Sequence, residues 1–350
     1  MKKLNVEVLE SKYSVFIGDC LAKINEFIKE DQKVIIITDD TVKNLHLQKL
    51  KKEIGVNAYI YSLGKNPETA KSLEIYGNCV SFCLNHYFDR DIVIIAFGGG
   101  AVGDFAGFFA STYKRGVKFI NIPTTLLAHD SAIGGKTALN FNNIKNVIGT
   151  FYQPEVVIYH LEFLKTLQTK DVLSGFGEVF KHDLLNDGYL LNEIINVDIN
   201  LNDLIINEEL MEEILYRCIL VKKVYIESDI YDKLGRRQYL NFGHTLAHAI
   251  EILYDYSHGE AVSLGICFDM FISGNKFYKI FYKRLKKYGY FKQMLDFNVE
   301  KIIEIMKNDK KNNLGDFKFI GLKSYGCPYE IILKTDEVFD FLNSFKMVIE

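Results

Sequence analysis

No run of apolar residues in this sequence approaches the roughly eighteen that a membrane-spanning helix needs. The opening MKKLNVEVLESKY follows its lysines with no apolar stretch, so it does not read as a secretory leader. Cysteine is sparse: Cys20, Cys79, Cys83, Cys218, Cys267 and Cys327 form no C-x-x-C pair or zinc-knuckle spacing, and read as reduced thiols of a cytoplasmic protein. Excess charge is missing as well. With 42 Lys and Arg against 45 Asp and Glu the net charge is −3, which argues against a nucleic-acid-coating surface and leaves room for a local cluster of cations. There is no internal repeat and no low-complexity linker. What is present is 350 residues, 48% hydrophobic and 25% charged, the balance of a globular protein with room for about two domains. A chain of this length buries a sizeable core without disulfides.

The first half alternates β-branched apolar runs with helix-like segments. Val34–Thr38 closes on Asp39-Asp40, Ala58–Leu63 is a second candidate strand, and Asp91–Phe97, Lys118–Ile122 and Glu155–His160 follow. Asn66-Pro67-Glu68 marks a helix start, with Asn as cap and Pro at the first helical position, and that helix is expected to reach about Leu84. Strands apolar throughout and separated by helices indicate a parallel sheet covered on both faces. After about residue 160 the period changes. Leu210, Ile214, Leu215, Cys218 and Ile219 recur at helical spacing, with the Lys222 stem extending the stripe, and Ala261–Gly274 is apolar almost all round, like a helix inside a bundle. The expectation is an α/β N-terminal domain over 1–160, Rossmann-like with a parallel sheet, and a mainly α-helical domain over 161–350.

Gly98, Gly100 and Gly103 complete G-x-G-x-x-G directly after a predicted strand and at the mouth of a helix. Glycines there let backbone N–H groups approach a pyrophosphate at the positive end of the helix dipole, although a ligand-free tight turn satisfies the same spacing. Asp39 either accepts hydrogen bonds from a ribose or caps the helix after its strand. Pro123-Thr124-Thr125 and Gly134-Gly135-Lys136 offer a second phosphate cradle.

His244 and His248 fall at i and i+4 on one helical face, His258 opens the buried helix, and Glu178 lies in Gly177-Glu178-Val179-Phe180-Lys181. Imidazoles and a carboxylate suit zinc with one position left open for substrate. Each histidine alone is more often a cap or a core hydrogen-bond partner. Their grouping beside Gly and Glu favours the metal. Arg115, Lys136, Lys145, Lys181, Lys223, Arg237 and Lys310-Lys311 mostly occupy turns marked by glycine or asparagine, whereas Lys283–Lys287 reads as a solvated face. A metal, a dinucleotide and many cations together suit a small, multiply anionic substrate.

These residues carry a family. Gly98–Val157, GFGEVFK (175–181), GRRQYLNFGHTLAHAIE (235–251), HGEAVSLG (258–265) and DKK (309–311) closely resemble the 3-dehydroquinate synthases, in that family's order and near its spacing, within the wider sugar phosphate cyclases. The resemblance implies NAD and a divalent metal, zinc or cobalt, held by Glu178, His244 and His258; of the i, i+4 pair it places only His244 on the metal. It implies cofactor contacts at Asp39, Glu68, Lys71, Gly99, Gly100, Ala101, Val102, Gly103, Asp104, Thr124, Thr125, Lys136, Lys145, Phe163, Leu164, Lys165 and Thr166. It implies a substrate site of Asp130, Lys136, Lys145, Asn146, Lys181, Lys223, Arg237, Asn241, His248 and Lys310. Arg115 matches an arginine that reaches the phosphate of a neighbouring subunit, which implies a homodimer. The implied reaction takes 3-deoxy-D-arabino-heptulosonate 7-phosphate to 3-dehydroquinate and inorganic phosphate, in the shikimate pathway of aromatic amino acid biosynthesis, with NAD recycled rather than consumed. Neither a nucleic acid nor a membrane is implied as partner.

The sequence departs from the family pattern twice. Only Ala128 and His129 separate Leu127 from Asp130, one residue fewer than usual, and Asn66-Pro67-Glu68 replaces Asp-Gly-Glu, with Glu68 and Lys71 keeping their spacing. The rival readings are a cyclase making 2-deoxy-scyllo-inosose or 2-epi-5-epi-valiolone from a substrate without a carboxylate, and an NAD- and metal-dependent polyol dehydrogenase that releases NADH. Arg237 and Asn241 speak against the first, and the number of phosphate-directed cations against the second.

Overall fold

In a computed structural model of the chain, which describes residues 1–8, 11–55, 57–142, 144–194, 199–292, 297–307 and 316–349, the apolar runs of the first half form one sheet. The elements up to residue 160 are β1 (Lys2–Val8), β2 (Ser11–Gly18), β3 (Val34–Thr38), α1 (Asp40–Ile54), β4 (Ala58–Ser62), α2 (Pro67–Ala70), α3 (Leu73–Asn85), β5 (Val93–Gly98), α4 (Gly100–Thr112), β6 (Lys118–Pro123), α5 (Ala128–Ser131), β7 (Lys136–Phe141), β8 (Ile144–Phe151) and β9 (Val156–His160). Then come α6 (Thr169–Leu184), α7 (Tyr189–Ile194), α8 (Leu201–Ile206), α9 (Glu208–Ser228), α10 (His244–Leu253), α11 (His258–Ile272), α12 (Phe277–Tyr288), α13 (Val299–Lys307), β10 (Asp316–Leu322), β11 (Pro328–Lys334) and α14 (Thr335–Ile349). Among the described residues no helix is long and apolar enough to cross a membrane.

The sheet has the order β1-β2-β9-β6-β5-β3-β4. Only β1 and β2 pair antiparallel; the other neighbours run parallel. The alternation of side chains explains why the central strands are apolar throughout. Ile35, Ile37, Ile94 and Ala96 join Cys79, Cys83, Phe105 and Phe109 in one core, while Val34, Ile36, Val93, Ile95 and Phe97 join Leu47, Leu50 and Ile54 in another. Both faces are covered, so neither can be polar.

The chain divides into two compact units: Met1–Leu167 with Ile205–Tyr231, and Gln168–Leu204 with Asp232–Glu350. The first unit thus takes back a helix from the second half, and the division is not the single cut near 160 that the change of period suggests. The reason lies in α9, which buries Met211, Ile214, Leu215, Cys218, Ile219 and Lys222 and packs against β1 and β2. Its outer side chains fasten it there: Lys2 ion-pairs with Glu213, and Glu227 accepts from the Glu7 amide at 2.8 Å. The helix expected from Pro67 to Leu84 is also two helices. Lys71 leaves helical geometry (ψ 64) and Ser72 caps afresh, accepting from the Ile75 amide at 3.3 Å.

In the second unit α11 packs against α6, α10 and α12 and is buried from Ala261 to Met270, somewhat short of the Ala261–Gly274 stretch that its sequence marks, because the helix stops at Ile272. Its approach to α6 is backbone against backbone. A Cβ on Gly259 would lie 1.8 Å from the Ser174 carbonyl oxygen, and one on Gly177 would lie 2.2 Å from the Gly259 carbonyl oxygen. The same closeness recurs between α11 and the start of α10, where a Cβ on Gly265 would lie 1.8 Å from the Gly243 oxygen.

Gly259→Ala should therefore lower stability by about 3 kcal/mol, because overpacking a helix contact outweighs the roughly 1 kcal/mol that alanine gains in helix propensity. Gly77→Ala, on an exposed turn of α3 with nothing within 4 Å of the new methyl, should instead be neutral or stabilising. Urea midpoints of the two variants check this; similar shifts for both would contradict it.

Candidate active site

The glycine contacts of the second unit bring three residues from three helices together. Glu178 follows Gly177 on α6, His244 follows Gly243 at the start of α10, and His258 precedes Gly259 at the start of α11. One ligand atom of each lies within 4.8 Å of the others. His244 Nε2 stands 3.5 Å and His258 Nε2 stands 3.2 Å from the same Glu178 oxygen, Oε1. In a tetrahedral shell with bonds of about 2.1 Å, neighbouring ligand atoms are about 3.4 Å apart, so the spacing fits a zinc-sized cation. The donor set fits too: two imidazoles and one carboxylate leave a fourth position for an oxygen ligand. His248 is not part of this group, although its ring lies 5.8 Å from that of His244.

What surrounds the three residues fixes their orientation. Lys181, one turn along α6 and itself buried, ion-pairs with Glu178 Oε2 at 2.5 Å, which leaves Oε1 facing the histidines. The His244 Nδ1 meets the Phe242 carbonyl oxygen at 3.1 Å, and the His258 Nδ1 meets Glu251 Oε1 at 2.5 Å. Both rings thus present Nε2 to the centre. Burial opposes a charge on His258, but the hydrogen bonds and fields of Glu178 and Glu251 outweigh it and lift its pKa to about 10. The two carboxylates demand positive charge at this ring.

Sequence reasoning missed two residues here. Glu251 lies seven residues after His244 and three after His248, so the helical spacing that singles out the histidines also puts it on their face. Asp269 stands alone as a charge inside the apolar run of α11, which is itself a signal. It is fully buried, and its Oδ2 accepts from the Gly243 amide at 2.7 Å, pinning the residue before His244. Burial pushes its carboxyl well above the usual range, with the backbone amides of Gly243 and Ile320 pulling the other way. Of the other expected substrate residues in this unit, Arg237 is buried and Asn241 and His248 are partly buried, while Lys310 lies outside the described residues.

The first unit gathers a second set at the carboxyl ends of its parallel strands, where open α/β sheets bind ligands. Asp39 follows β3, Gly98–Gly100 joins β5 to α4, Thr124 and Thr125 follow β6, and the 3-10 turn Leu161–Thr166 follows β9. The glycine turn is as tight as its spacing implies: a Cβ on Gly98 would lie 2.5 Å from the Val102 side chain, and one on Gly100 would lie 2.9 Å from Ser131 Oγ. Asp39 caps α1, accepting from the Val42 amide at 3.0 Å, and burial raises its carboxyl. Phe163 and Leu164 are buried in the core, so a ligand here would meet their backbone. Lys165 ion-pairs with Glu208.

Lys71 is the hub of this unit. Its buried Nζ lies 2.7 Å from Asp104 Oδ2, 2.6 Å from Asn146 Oδ1 and 3.5 Å from Glu68 Oε1. Burial raises the Asp104 carboxyl, against the pull of Lys71. Asn140, which no motif flags, holds the Asn146 amide at 2.9 Å through its oxygen and reaches Glu68 through its nitrogen at 3.0 Å, so the β7–β8 hairpin is tied to α2. That leaves Lys136, Lys145 and Asn146 exposed on the hairpin, and Arg115 exposed beyond α4. Asp130 pairs with Lys222 at 3.2 Å, and Lys223 with Glu227 at 3.3 Å.

Solved structures first place the fold. The chain superposes on a 2-deoxy-scyllo-inosose synthase complexed with carbaglucose-6-phosphate, NAD+ and Co2+ with a TM-score of 0.86 at 23% identity, covering 98% of this chain and 100% of that one. It superposes equally, at 0.86 and 20% identity, on the 2-epi-5-epi-valiolone synthase ValA of Streptomyces hygroscopicus subsp. jinggangensis 5008 with NAD+ and Zn2+ bound, covering 98% and 99%. The fold is the one these cyclases share. In sequence, residues 62–174 match the 3-dehydroquinate synthase N-terminal model and residues 175–312 the 3-dehydroquinate synthase C-terminal model. A 3-dehydroquinate synthase of Bacillus cytotoxicus (strain DSM 22905 / CIP 110041 / 391-98 / NVH 391-98) is 38% identical over 99% of this chain and 97% of its own length. The chain belongs to the 3-dehydroquinate synthase family.

Asp269 yields a pH prediction. A carboxyl whose folded pKa is raised gives its full contribution to stability below the unfolded value of about 4, and loses it as pH rises through the folded value. Asp269→Asn keeps an acceptor for the Gly243 amide and does not titrate. The Tm of the unaltered protein should therefore fall relative to that of the variant as pH rises above about 4; parallel curves would contradict the assignment.

Proposed function

We propose that this chain converts 3-deoxy-D-arabino-heptulosonate 7-phosphate to 3-dehydroquinate and inorganic phosphate, as a phosphate-eliminating carbon–oxygen lyase that depends on NAD and a divalent metal. The observation that carries the proposal is the Glu178, His244 and His258 group, in a chain matched over nearly its whole length by a synthase of that name. Bound NAD supplies a reversible hydride store, and a bound zinc or cobalt ion supplies Lewis-acid polarisation of a substrate alcohol. Glu178, His244 and His258 hold the metal. Asp39, Glu68, Lys71, the Gly99–Asp104 turn, Thr124, Thr125 and the backbone of residues 163–166 hold the NAD.

The rest of the work is positioning. Lys136, Lys145, Asn146 and Lys223 bind the phosphate, with Arg115 reaching a phosphate on a neighbouring subunit of a homodimer. Arg237 and Asn241 hold the substrate carboxylate, and Asp130, Lys181, His248 and Lys310 complete its contacts. Hydride passes from a secondary alcohol to bound NAD and is later returned; in between, the ketone acidifies the neighbouring C–H, and these cations hold the phosphate that leaves by β-elimination and itself takes the proton. The opened ring closes by an intramolecular aldol step. Cations that orient the leaving phosphate matter more in this scheme than a strong protein base, and holding one flexible substrate through several steps is a matter of fixed contacts. The setting is the cytoplasm, with no nucleic acid or membrane as partner.

Purified protein given NAD, metal and the heptulosonate phosphate should release inorganic phosphate with no net gain of NADH absorbance. Steady NADH accumulation would support a polyol dehydrogenase instead. Arg237→Ala should reduce kcat/KM for this carboxylate substrate by 100-fold or more, about what losing a charged contact of some 3 kcal/mol gives, and change turnover of a neutral sugar phosphate far less. Equal losses on both would assign Arg237 another role.

A further inference from the structure

We infer that Glu251 is a positioning residue for the metal centre: it fixes the proton of His258 on Nδ1 and so prepares Nε2 to bind the cation. The inference rests on the metal reading of Glu178, His244 and His258. The geometry is specific. The imidazole of His258 is gripped at both nitrogens, with Nδ1 at 2.5 Å from Glu251 Oε1 and Nε2 at 3.2 Å from Glu178 Oε1. A neutral imidazole offers one lone pair, and the nitrogen that donates a hydrogen bond cannot also bind a metal. A carboxylate at Nδ1 can only accept, so it selects the tautomer with the lone pair on Nε2 and makes that nitrogen a better donor.

His244 has a neutral counterpart, the Phe242 carbonyl oxygen 3.1 Å from its Nδ1. The two ligands are thus tuned unequally, and the stronger partner serves the more exposed ring: the side chain of His258 is 35% exposed, that of His244 12%. Glu251, only 16% exposed on α10, supplies His258 with an anchor from a different helix. The Ser257–Glu260 capping box holds the α11 end of the same contact.

The test is a chelator-competition titration of the full chain with Zn2+ or Co2+, read with the visible spectrum of the cobalt form, on the unaltered protein, Glu251→Ala, Glu251→Gln, His258→Ala and the double variant Glu251→Ala/His258→Ala. Loss of an outer partner of a metal-bound histidine weakens metal binding by about 10- to 100-fold. Glu251→Ala should fall in that range, and Glu251→Gln, which keeps an accepting oxygen without the charge, between it and the unaltered protein. The double variant should bind no more weakly than His258→Ala alone, an outcome that a general loss of structure would not give. Unaltered affinity in Glu251→Gln and Glu251→Ala, or full additivity in the double variant, would overturn the inference and leave the metal reading intact. If the unaltered protein and His258→Ala bind metal alike, the metal reading itself fails and the inference with it. Should Glu251→Ala not fold, Glu251→Gln decides.

Discussion

Everything at the proposed metal site depends on three helices meeting backbone to backbone. Ligand atoms within 4.8 Å of one another come from α6, α10 and α11, and the close backbone approach at the neighbouring glycines fixes where those three side chains start. Gly177, Gly243 and Gly259 sit immediately beside Glu178, His244 and His258, and Gly265 receives the Gly243 carbonyl. The Gly-Glu, Gly-His and His-Gly pairs of the sequence are therefore one structural device used three times. Around it the buried Asp269 and the Lys181 ammonium act as fixed struts, one on the backbone before His244 and one on the far oxygen of Glu178.

The first unit solves a different problem with the same economy of space. Parallel strands present several chain ends along one edge, and the tight glycine turn lets α4 start directly at the end of β5. Lys71 then turns a break between two helices into a junction. By leaving helical geometry at that point the chain sends a buried ammonium toward Asp104 on α4 and Asn146 on the hairpin, so three separate segments share one cation. A buried ammonium is tolerated because its charge is met by two carboxylates and an amide oxygen.

Much of this was legible in the sequence, and for a physical reason: strands buried on both faces must be apolar throughout, and a helix buried all round must be too. Val34–Thr38 and Ala261–Met270 are therefore found where their composition places them. The stripe on α9 was equally legible as a helix, but a stripe does not name what it packs against, and its return to β1 and β2 is a tertiary fact. Glu178, His244 and His258 stand out because their residue types are rarely grouped without use. Asn140 and the split at Lys71 are harder, since each acts through a partner distant in the chain. For Asn140 no local pattern gives it away; for Glu251 the spacing to His244 and His248 was there to be read.

The central claim is that Glu178, His244 and His258 form one cation site. Crystals grown with Co2+ and measured across the cobalt edge would test it most directly. A single strong anomalous peak should stand about 2.0–2.2 Å from Glu178 Oε1 and from both Nε2 atoms. A peak bound elsewhere, or none at these three side chains at saturating metal, would contradict it.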